Sequence, residues 1–310
     1  MVLRSFVTIL IGFVILQLSK LENFDDLFTG HPESIEKNLS ALLPQAEVLE
    51  NKSIYLQILS QIALAQAMQK KFDLAHKTLD SAEAALAPQY QLAQVRILLE
   101  RGRVFHQSDN IEIALQLFNQ SYELSVKHGF DFHTVNAAHM IAIVEKGIDK
   151  KIIWNKKAID LAAKAEDERA RAWLGALYNN LAQNYIEAEQ YQNALSAFEK
   201  CKKYSEEKGE MIVVRGAKWG IACSLRSLGF LDNALEMQLA LLKEYENIAN
   251  GALPIELIVV GRGMIYEELT EIHLAHTKKY AALAYQDLSQ DPWCVKLMPE
   301  RLEKMKQLQQ

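Results

Sequence analysis

A small residue recurs about every 40 positions along the middle of this 310-residue chain. These small residues lie in amphipathic segments at intervals of 36 to 44 positions, at Ala63, Gly102, Ala138, Ala182 and Ala222. Small residues allow two antiparallel helices to approach closely, because no bulky side chain separates their backbones. A period near 40 is typical of helix pairs that stack on one another. The spacing therefore predicts a solenoid of helix pairs.

A second set of positions supports the same register. Twelve residues after four of the five small residues comes an alanine, at Ala75, Ala114, Ala194 and Ala234, and the exception is Lys150. Large apolar residues come three before each alanine, at Phe72, Ile111, Tyr191 and Leu231. Large residues also come four after, at Leu79, Phe118 and Phe198, with Trp154 in the Lys150 repeat and Gln238 departing from the pattern. The bulky residues are expected to fill the space between successive pairs.

The segment LYNNLAQNYIEAEQYQNALSAFEKC resembles the tetratricopeptide repeat (TPR), with its pattern W-x2-L-G-x2-Y followed by A-x3-F. The matching residues are Tyr178, Leu181, Ala182, Tyr185, Ala194 and Phe198, with Tyr in place of Trp and Ala in place of Gly. The spacing near 40 is similar to the longer-repeat members of the family, found in kinesin light chains and bacterial peptide-sensing regulators. The chain as a whole resembles uncharacterised bacterial TPR proteins of about this length. The resemblance implies an all-α, right-handed superhelical solenoid of antiparallel helix pairs.

The same pattern divides the chain into four parts. Residues 1–20 form a hydrophobic N-terminal segment and residues 21–45 an N-terminal cap. Residues 46–290 hold about six helix pairs, of which the last is degenerate because KKYAALAYQDL follows its first helix too soon. Residues 291–310 are predicted to form a C-terminal capping helix with Leu302, Met305 and Leu308 on its inner face.

The N-terminal segment raises a separate question of localisation. Residues 5–18 carry no charge and follow Arg4, and Glu22, Asp25 and Asp26 come after them. A run of about 14 apolar residues is short for a spanning helix but suits a signal-peptide core or signal anchor. This charge distribution slightly favours membrane association or export, with the amino end inside. The alternatives are a packed first helix of a cytoplasmic protein, or a start assigned upstream of the true one.

The TPR resemblance implies that the first helix of each pair faces a concave groove, where peptide segments dock. Positions two before and one after each small residue should point into it, namely Glu100, Arg103, Asn136, His139, Asn180, Gln183, Gly220 and Cys223. Arg96 and Arg226 lie at spacings that let them reach the same wall.

Asn136 and Asn180 are the main candidates for binding. An asparagine amide both donates and accepts hydrogen bonds, so it can hold the backbone of an extended peptide whatever its side chains. Related TPR proteins use asparagines in an NNLA-like segment in this way, and residues 179–182 match that segment. The alternative for Asn180 is a bond to the neighbouring helix only. Arg96, Arg103 and Arg226 are candidates for receiving a carboxylate, or else ordinary solvated helix charges.

Other functional classes have little support in the sequence. A formal net charge of −5 disfavours nucleic-acid binding. The three cysteines offer neither a disulfide framework nor a CxxC metal knuckle. No enzyme motif of the HExxH, GxSxG, Walker or GxGxxG type is present. His273 and His276 share a helical face without a further organised ligand, so neither a metal nor a cofactor is predicted.

These observations predict a non-enzymatic scaffold that binds a protein or peptide segment in the concave groove. The alternative is a structural or assembly adaptor that self-associates, in a membrane-tethered form if residues 5–18 insert.

Overall fold

The computed structural model describes residues 21, 23–48, 50–248, 253, 255–289, 295–296 and 299–309. The hydrophobic run at residues 5–18 and the cysteine at position 294 lie outside the described residues. The chain divides into two compact units, with the boundary between Trp173 and Leu174. We refer to them as unit 1 and unit 2. The described residues of both units form helices and connecting turns.

Unit 1 begins with a short 3-10 turn at Phe24–Leu27, which is followed by helices. They are α1 (Pro32–Ser40), α2 (Leu43–Val48), α3 (Lys52–Met68), α4 (Phe72–Ala84), α5 (Gln91–Gln107), α6 (Ile111–His128), α7 (Asp131–Val144), α8 (Ile148–Lys164) and α9 (Glu168–Arg171). Three successive pairs are formed by α3 with α4, α5 with α6, and α7 with α8. Each pair is joined by a short turn, which makes its two helices antiparallel neighbours.

Unit 2 continues the same arrangement. Its helices are α10 (Leu174–Glu187), α11 (Tyr191–Lys208), α12 (Met211–Ser227), α13 (Leu231–Glu246), α14 (Ile255–Ser289) and α15 (Pro299–Leu308). The pairs are α10 with α11 and α12 with α13, and α14 packs against both α13 and α15. The all-α architecture of consecutive helix pairs predicted from the repeat is confirmed.

The small residues of the repeat are buried where the helices of a pair meet. All eight alanines of the two register positions are fully buried, at Ala63, Ala75, Ala114, Ala138, Ala182, Ala194, Ala222 and Ala234. Gly102 serves the same purpose in α5, because a Cβ atom there would lie 2.5 Å from the ring of Phe118. The ring of Phe118 is itself fully buried. Close helix approach thus depends on these small residues, as the spacing predicted.

Several helix ends are set by local chemistry. Gly129 ends α6 and Gly209 ends α11 in the left-handed conformation, which glycine adopts without steric cost. The side chain of Asn51 begins α3 by accepting a hydrogen bond from the backbone N–H of Ile54. These signals place the turns between successive helices.

The start of the described chain packs against unit 1. Leu21 and Phe24 are buried in one apolar cluster with Ile35 and Leu39 of α1 and with residues of α3. This packing holds the residues that follow Phe24 beside α3 and α5. Among the described residues, no helix combines the length and the apolar character needed to cross a membrane.

Two details near the C-terminus differ from the expectation. The degenerate sixth pair is absent, because Ile255–Ser289 forms one continuous helix. That stretch contains no proline, and its second half is rich in helix-forming Ala, Leu and Lys, so nothing interrupts the helix. In α15, Leu302 is buried and Met305 partly buried, but Leu308 is 39% exposed. Six residues advance about 600° around a helix, which places Leu308 about 120° away from Leu302.

Candidate functional site

The first helices of unit 1, α3, α5 and α7, are joined by a chain of polar side chains. Arg103 donates from Nη1 to both carboxylate oxygens of Glu100, at 2.8 and 2.9 Å. Its Nη2 donates to Oδ1 of Asn136 on α7, at 2.6 Å. Gln61 on α3 donates from Nε2 to Glu100 Oε1 at 3.0 Å. Gln61, Glu100 and Asn136 are buried, whereas Arg103 is partly exposed. We call the row formed by these four residues the first-helix face of unit 1.

This polar chain is largely shielded from solvent. The side chain of Glu100 is 2% exposed and that of Arg103 is 19% exposed. A buried carboxylate needs charged hydrogen-bond donors to offset its lost hydration, and Arg103 supplies them. Arg103 also orients the Asn136 amide by bonding its oxygen. The two side chains expected to bind a peptide are therefore pre-positioned by each other.

His139 lies one turn after Asn136 on the same helix. Its ring packs against that of Trp173 with 5.1 Å between the centroids and 71° between the planes. Burial, together with the nearby charge of Arg103, lowers the pKa of His139 to about 4. The imidazole is therefore neutral at physiological pH and contributes an aromatic, uncharged surface beside Asn136.

Arg96 lies two turns before Arg103 on α5 and has a different partner. Its Nη1 donates to Asp25 Oδ2 at 2.9 Å and its Nη2 to Asp25 Oδ1. The guanidinium also covers the ring of Phe24, at 4.8 Å from the ring centroid. Burial alone would raise the pKa of Asp25, but the hydrogen bonds and charge of Arg96 hold it below its ordinary value. The carboxylate that Arg96 receives in this structure is thus supplied by the chain itself.

A cavity of about 480 Å³ adjoins Arg96 at the end of unit 1 where α3, α5 and α7 begin. Its walls come from the segment with Phe24 and Asp25, from the first turns of these three helices, and from residues 166–169. His133 on α7 lines it and is 5% exposed. We call this space the His133 cavity. It was not predicted, because its walls come from five segments far apart in the chain.

The remaining predicted residues lie in unit 2. Asn180 on α10 is partly buried and is engaged in an interaction of its own, whereas Gln183 is exposed. Arg226 on α12 forms a forked ion pair with Glu268 on α14, with Nε to Oε1 at 2.6 Å and Nη2 to Oε2 at 3.2 Å. Asn180, Gln183 and Arg226 thus lie in different environments, and Gln183 is the most accessible to solvent.

Two residues expected to face the groove are instead buried in unit 2. A Cβ atom at Gly220 would lie 2.3 Å from Cζ of Phe198, so this glycine is the contact surface for that ring. Cys223 is 7% exposed. Burial and the neighbouring carboxylate of Glu268 raise the pKa of the Cys223 thiol well above its ordinary value. These two positions in α12 provide packing, and the matching residues Glu100 on α5 and Asn136 on α7 are buried as well.

The described residues offer little for covalent or metal chemistry. Within the part of the chain that the structure describes, no group of three or more His, Cys, Asp or Glu side chains is placed to hold a metal ion. The Cys201 thiol is buried, and its pKa is raised to about 11, first by burial. A thiol in this state is a poor nucleophile, because the reactive form is the thiolate.

Consecutive helix pairs with buried small residues in this register define a TPR-like repeat protein. Proteins with this fold are typically protein-binding scaffolds and are usually non-catalytic. Neither the protein families nor the curated proteins with which the sequence was compared include a match.

Solved structures are similar to this chain at low sequence identity. RapI in its apo form superposes with a TM-score of 0.66 and 13% identity, over 94% of this chain and 80% of RapI. A STAND signal transduction ATPase from Pyrococcus horikoshii, which has a tetratricopeptide repeat sensor, gives a TM-score of 0.61 and 18% identity over 92% of this chain. This chain spans about half of that ATPase, 47% of its length. BtubC (BKLC) from P. vanneervenii gives 0.56 and 14% identity, over 73% of this chain and 95% of BtubC. These likenesses establish the TPR-like fold predicted from the repeat.

Proposed function

We propose that this protein is a non-enzymatic scaffold that binds an extended segment of a partner protein along its first helices. In unit 1 the segment lies on the first-helix face, where Asn136, Arg103 and His139 contact it. In unit 2 Asn180, Gln183 and Arg226 are the corresponding contacts. The TPR-like fold supports this proposal, because stacked first helices repeat the same polar positions at regular intervals.

The observation that carries the proposal is the hydrogen bond from Arg103 to Asn136. It occupies the amide oxygen of Asn136 and so directs the amide nitrogen away from Arg103. Among the described residues, the side chain of Asn136 makes this one hydrogen bond. The amide nitrogen can therefore donate to a backbone carbonyl of a bound segment. Pre-positioning lowers the entropy lost on binding, which favours a functional role for this arrangement.

The proposal is tested by selecting ligands from a random-peptide display library with the full chain. The affinity of a selected peptide is then measured by calorimetry for the wild type and for Asn136→Ala. We expect the substitution to weaken binding about tenfold, the cost of one hydrogen bond to a polar partner. Asn180→Ala is measured in parallel, because it reports on the equivalent contact in unit 2.

Asn119→Ala is the matched control for these substitutions. Asn119 lies on α6, a second helix of unit 1, and its amide donates to the carbonyl of Leu115 in the same helix. The control should retain the wild-type affinity. Selected peptides that bind all three variants as tightly as the wild type would exclude the first helices as the binding surface. A self-associating adaptor would instead yield no specific peptide and would sediment as an oligomer whose size depends on concentration.

A further inference from the structure

The His133 cavity has an unusual charge balance. Four carboxylates line it, at Asp25, Asp131, Glu166 and Asp167, against two guanidinium groups, at Arg96 and Arg169. Arg96 is paired with Asp25, and Arg169 is paired with Asp167 through a contact of 2.7 Å. The lining therefore carries two more negative than positive charges.

The two remaining carboxylates have no such partner. Across the described residues, no lysine or arginine nitrogen lies within ion-pair distance of the carboxylate oxygens of Asp131 or Glu166, and Nη1 of Arg171 donates to the backbone carbonyl of Glu166 at 2.7 Å. One oxygen of Asp131 accepts a hydrogen bond from the backbone N–H of Glu166, at 3.0 Å. This bond joins the start of α7 to the turn before α9. It fixes the carboxylate of Asp131 and the backbone of Glu166, and Glu166 itself is exposed at the mouth of the cavity. A cation entering the cavity would thus find two carboxylates that are not neutralised.

His133 provides an independent sign that the cavity receives a ligand. Its Nδ1 is buried and has no hydrogen-bond partner among the described residues. Burial, and after it the charge of Arg96, lowers the pKa of His133 to about 3, so the imidazole is neutral at physiological pH. A neutral imidazole has one nitrogen that accepts a hydrogen bond. Leaving a buried polar atom unpaired costs about 1–3 kcal/mol, which a ligand N–H group would recover.

Aromatic surfaces complete the environment. Phe132 lines the cavity, and its ring already lies 5.0 Å from the guanidinium of Arg169. It also meets the ring of His133 edge to face, with 5.1 Å between centroids. The negative face of an aromatic ring attracts cations, and guanidinium groups more often than ammonium groups.

Most guanidinium donors at the cavity are already engaged, which leaves an anionic ligand few partners besides the buried Nε of Arg96. Both Nη atoms of Arg96 already donate to Asp25. Arg169 donates to the carboxylate of Asp167 from Nε and from Nη2. Because Asp25 occupies both Nη atoms of Arg96, we do not assign an acidic partner group to this guanidinium at the cavity.

We propose that the His133 cavity binds the cationic end of an extended side chain, an arginine or lysine of the bound partner segment. The cation pairs with Asp131 and Glu166 and donates a hydrogen bond to Nδ1 of His133. This inference rests on the proposed function, since Arg96 and Arg103 place the cavity and the first-helix face on the same helix. A free polyamine carries the same chemistry, and the test separates these two sources.

The test titrates the full chain, labelled with 15N at histidine, with Nα-acetyl-arginine amide and Nα-acetyl-lysine amide. Nα-acetyl-citrulline amide is the control, because citrulline has nearly the shape of arginine without its charge. Spermidine represents the free polyamine. Calorimetry gives the affinities, and NMR follows the imidazole nitrogens of His133, which are identified by their loss in His133→Gln.

We expect the arginine or lysine amide to bind at least about tenfold more tightly than the citrulline amide. The Nδ1 signal of His133 should shift on addition of the cation and stay unchanged with citrulline. Asp131→Asn combined with Glu166→Gln should weaken binding of the cation about tenfold or more, because the two amides have nearly the shape of the carboxylates but no negative charge. Asp149→Asn combined with Asp160→Asn, two exposed residues of α8 outside the cavity, is the matched control and should bind as the wild type does.

Equal affinity for arginine and citrulline amides, or no binding of either cation, would overturn the proposal without any use of a variant. Undiminished binding by the Asp131 and Glu166 double variant would also overturn it. Tighter binding of spermidine than of both amino-acid amides would reject a partner side chain as the occupant and assign the cavity to free polyamines. None of these measurements needs a selected peptide, so their failure is distinct from failure of the proposed function.

Discussion

Two phenylalanine rings in this protein rest directly on glycine residues of a neighbouring helix. Phe118 packs on Gly102, and Phe198 packs on Gly220. Both rings are fully buried. A Cβ atom at either glycine would overlap the ring, so a larger residue would force the two helices apart. A change in side-chain size at either contact therefore displaces the neighbouring helix, because helix interfaces are packed as densely as organic crystals.

This packing predicts opposite effects for two substitutions in α12. Gly220→Ala should lower the free energy of unfolding by about 1–3 kcal/mol, because the added methyl group overlaps Phe198. Gly216→Ala should raise it by about 0.5–1 kcal/mol, because alanine favours the helix over glycine. No heavy atom of the described residues outside the local helix lies within 4 Å of a Cβ at Gly216. Urea unfolding followed by circular dichroism measures both, and equal effects of the two substitutions would contradict this account.

At the scale of the helices, ion pairs connect elements that are distant in sequence. Arg226 on α12 and Glu268 on α14 are 42 residues apart and form a forked pair. The side chain of Glu268 is 6% exposed and that of Arg226 is 28% exposed. The carboxylate is the more buried of the two groups. Removing the guanidinium should therefore cost the protein more stability than removing the carboxylate.

This asymmetry predicts the outcome of a double-mutant cycle. Arg226→Met should destabilise the protein by about 3 kcal/mol, because it leaves a buried carboxylate without its partner. Arg226→Met combined with Glu268→Met should be less destabilising than the single Arg226→Met, since both desolvation costs are removed together. The free energies of unfolding come from urea titrations of the four proteins of the cycle. If the double variant lost as much free energy of unfolding as the two single variants together, the pair would not couple α12 to α14.

At the scale of the whole molecule, buried histidines make stability depend on pH. The pKa of His133 is lowered to about 3 and that of His139 to about 4. Arg96 and Arg103 of α5, Arg169 of α9 and the opposing Asp25 are the charged groups that act on them. Unfolding restores both imidazoles to ordinary pKa values near 6.5. Between pH 6.5 and 3 the unfolded chain therefore binds more protons than the folded protein.

The free energy of unfolding should consequently fall as the pH is lowered from about 6.5, with the contribution of His139 lost by pH 4 and that of His133 by pH 3. The carboxyl of Asp25, whose pKa is lowered, adds to the loss at the acidic end. Urea midpoints between pH 7 and pH 4 measure the slope. His133→Gln should reduce the slope, whereas Asn119→Ala on α6, which removes no titratable group, should preserve it. Identical slopes in the wild type and in His133→Gln would contradict the burial of a neutral imidazole.

The helical architecture could be predicted from the sequence because its signals are local and periodic. A helix places one face toward its neighbour every three or four residues, so small residues at fixed intervals identify the contacts of each pair. Ala75, Ala114, Ala194 and Ala234 identify those contacts through spacing alone. The sixth pair was predicted less well because weak repeat signals in residues 255–289 concealed a continuous helix.

The tertiary structure decided which polar groups meet. Arg96 and Asp25 are 71 residues apart, and Arg103 and Asn136 are 33 apart. The periodicity of a single helix gives the direction of each side chain but not the identity of the group opposite it. That identity depends on how distant segments cross, and a shift of one residue along a helix turns a side chain by about 100°. The sequence alone therefore determined the repeat and its register, and the folded chain determined the ion pairs and the His133 cavity.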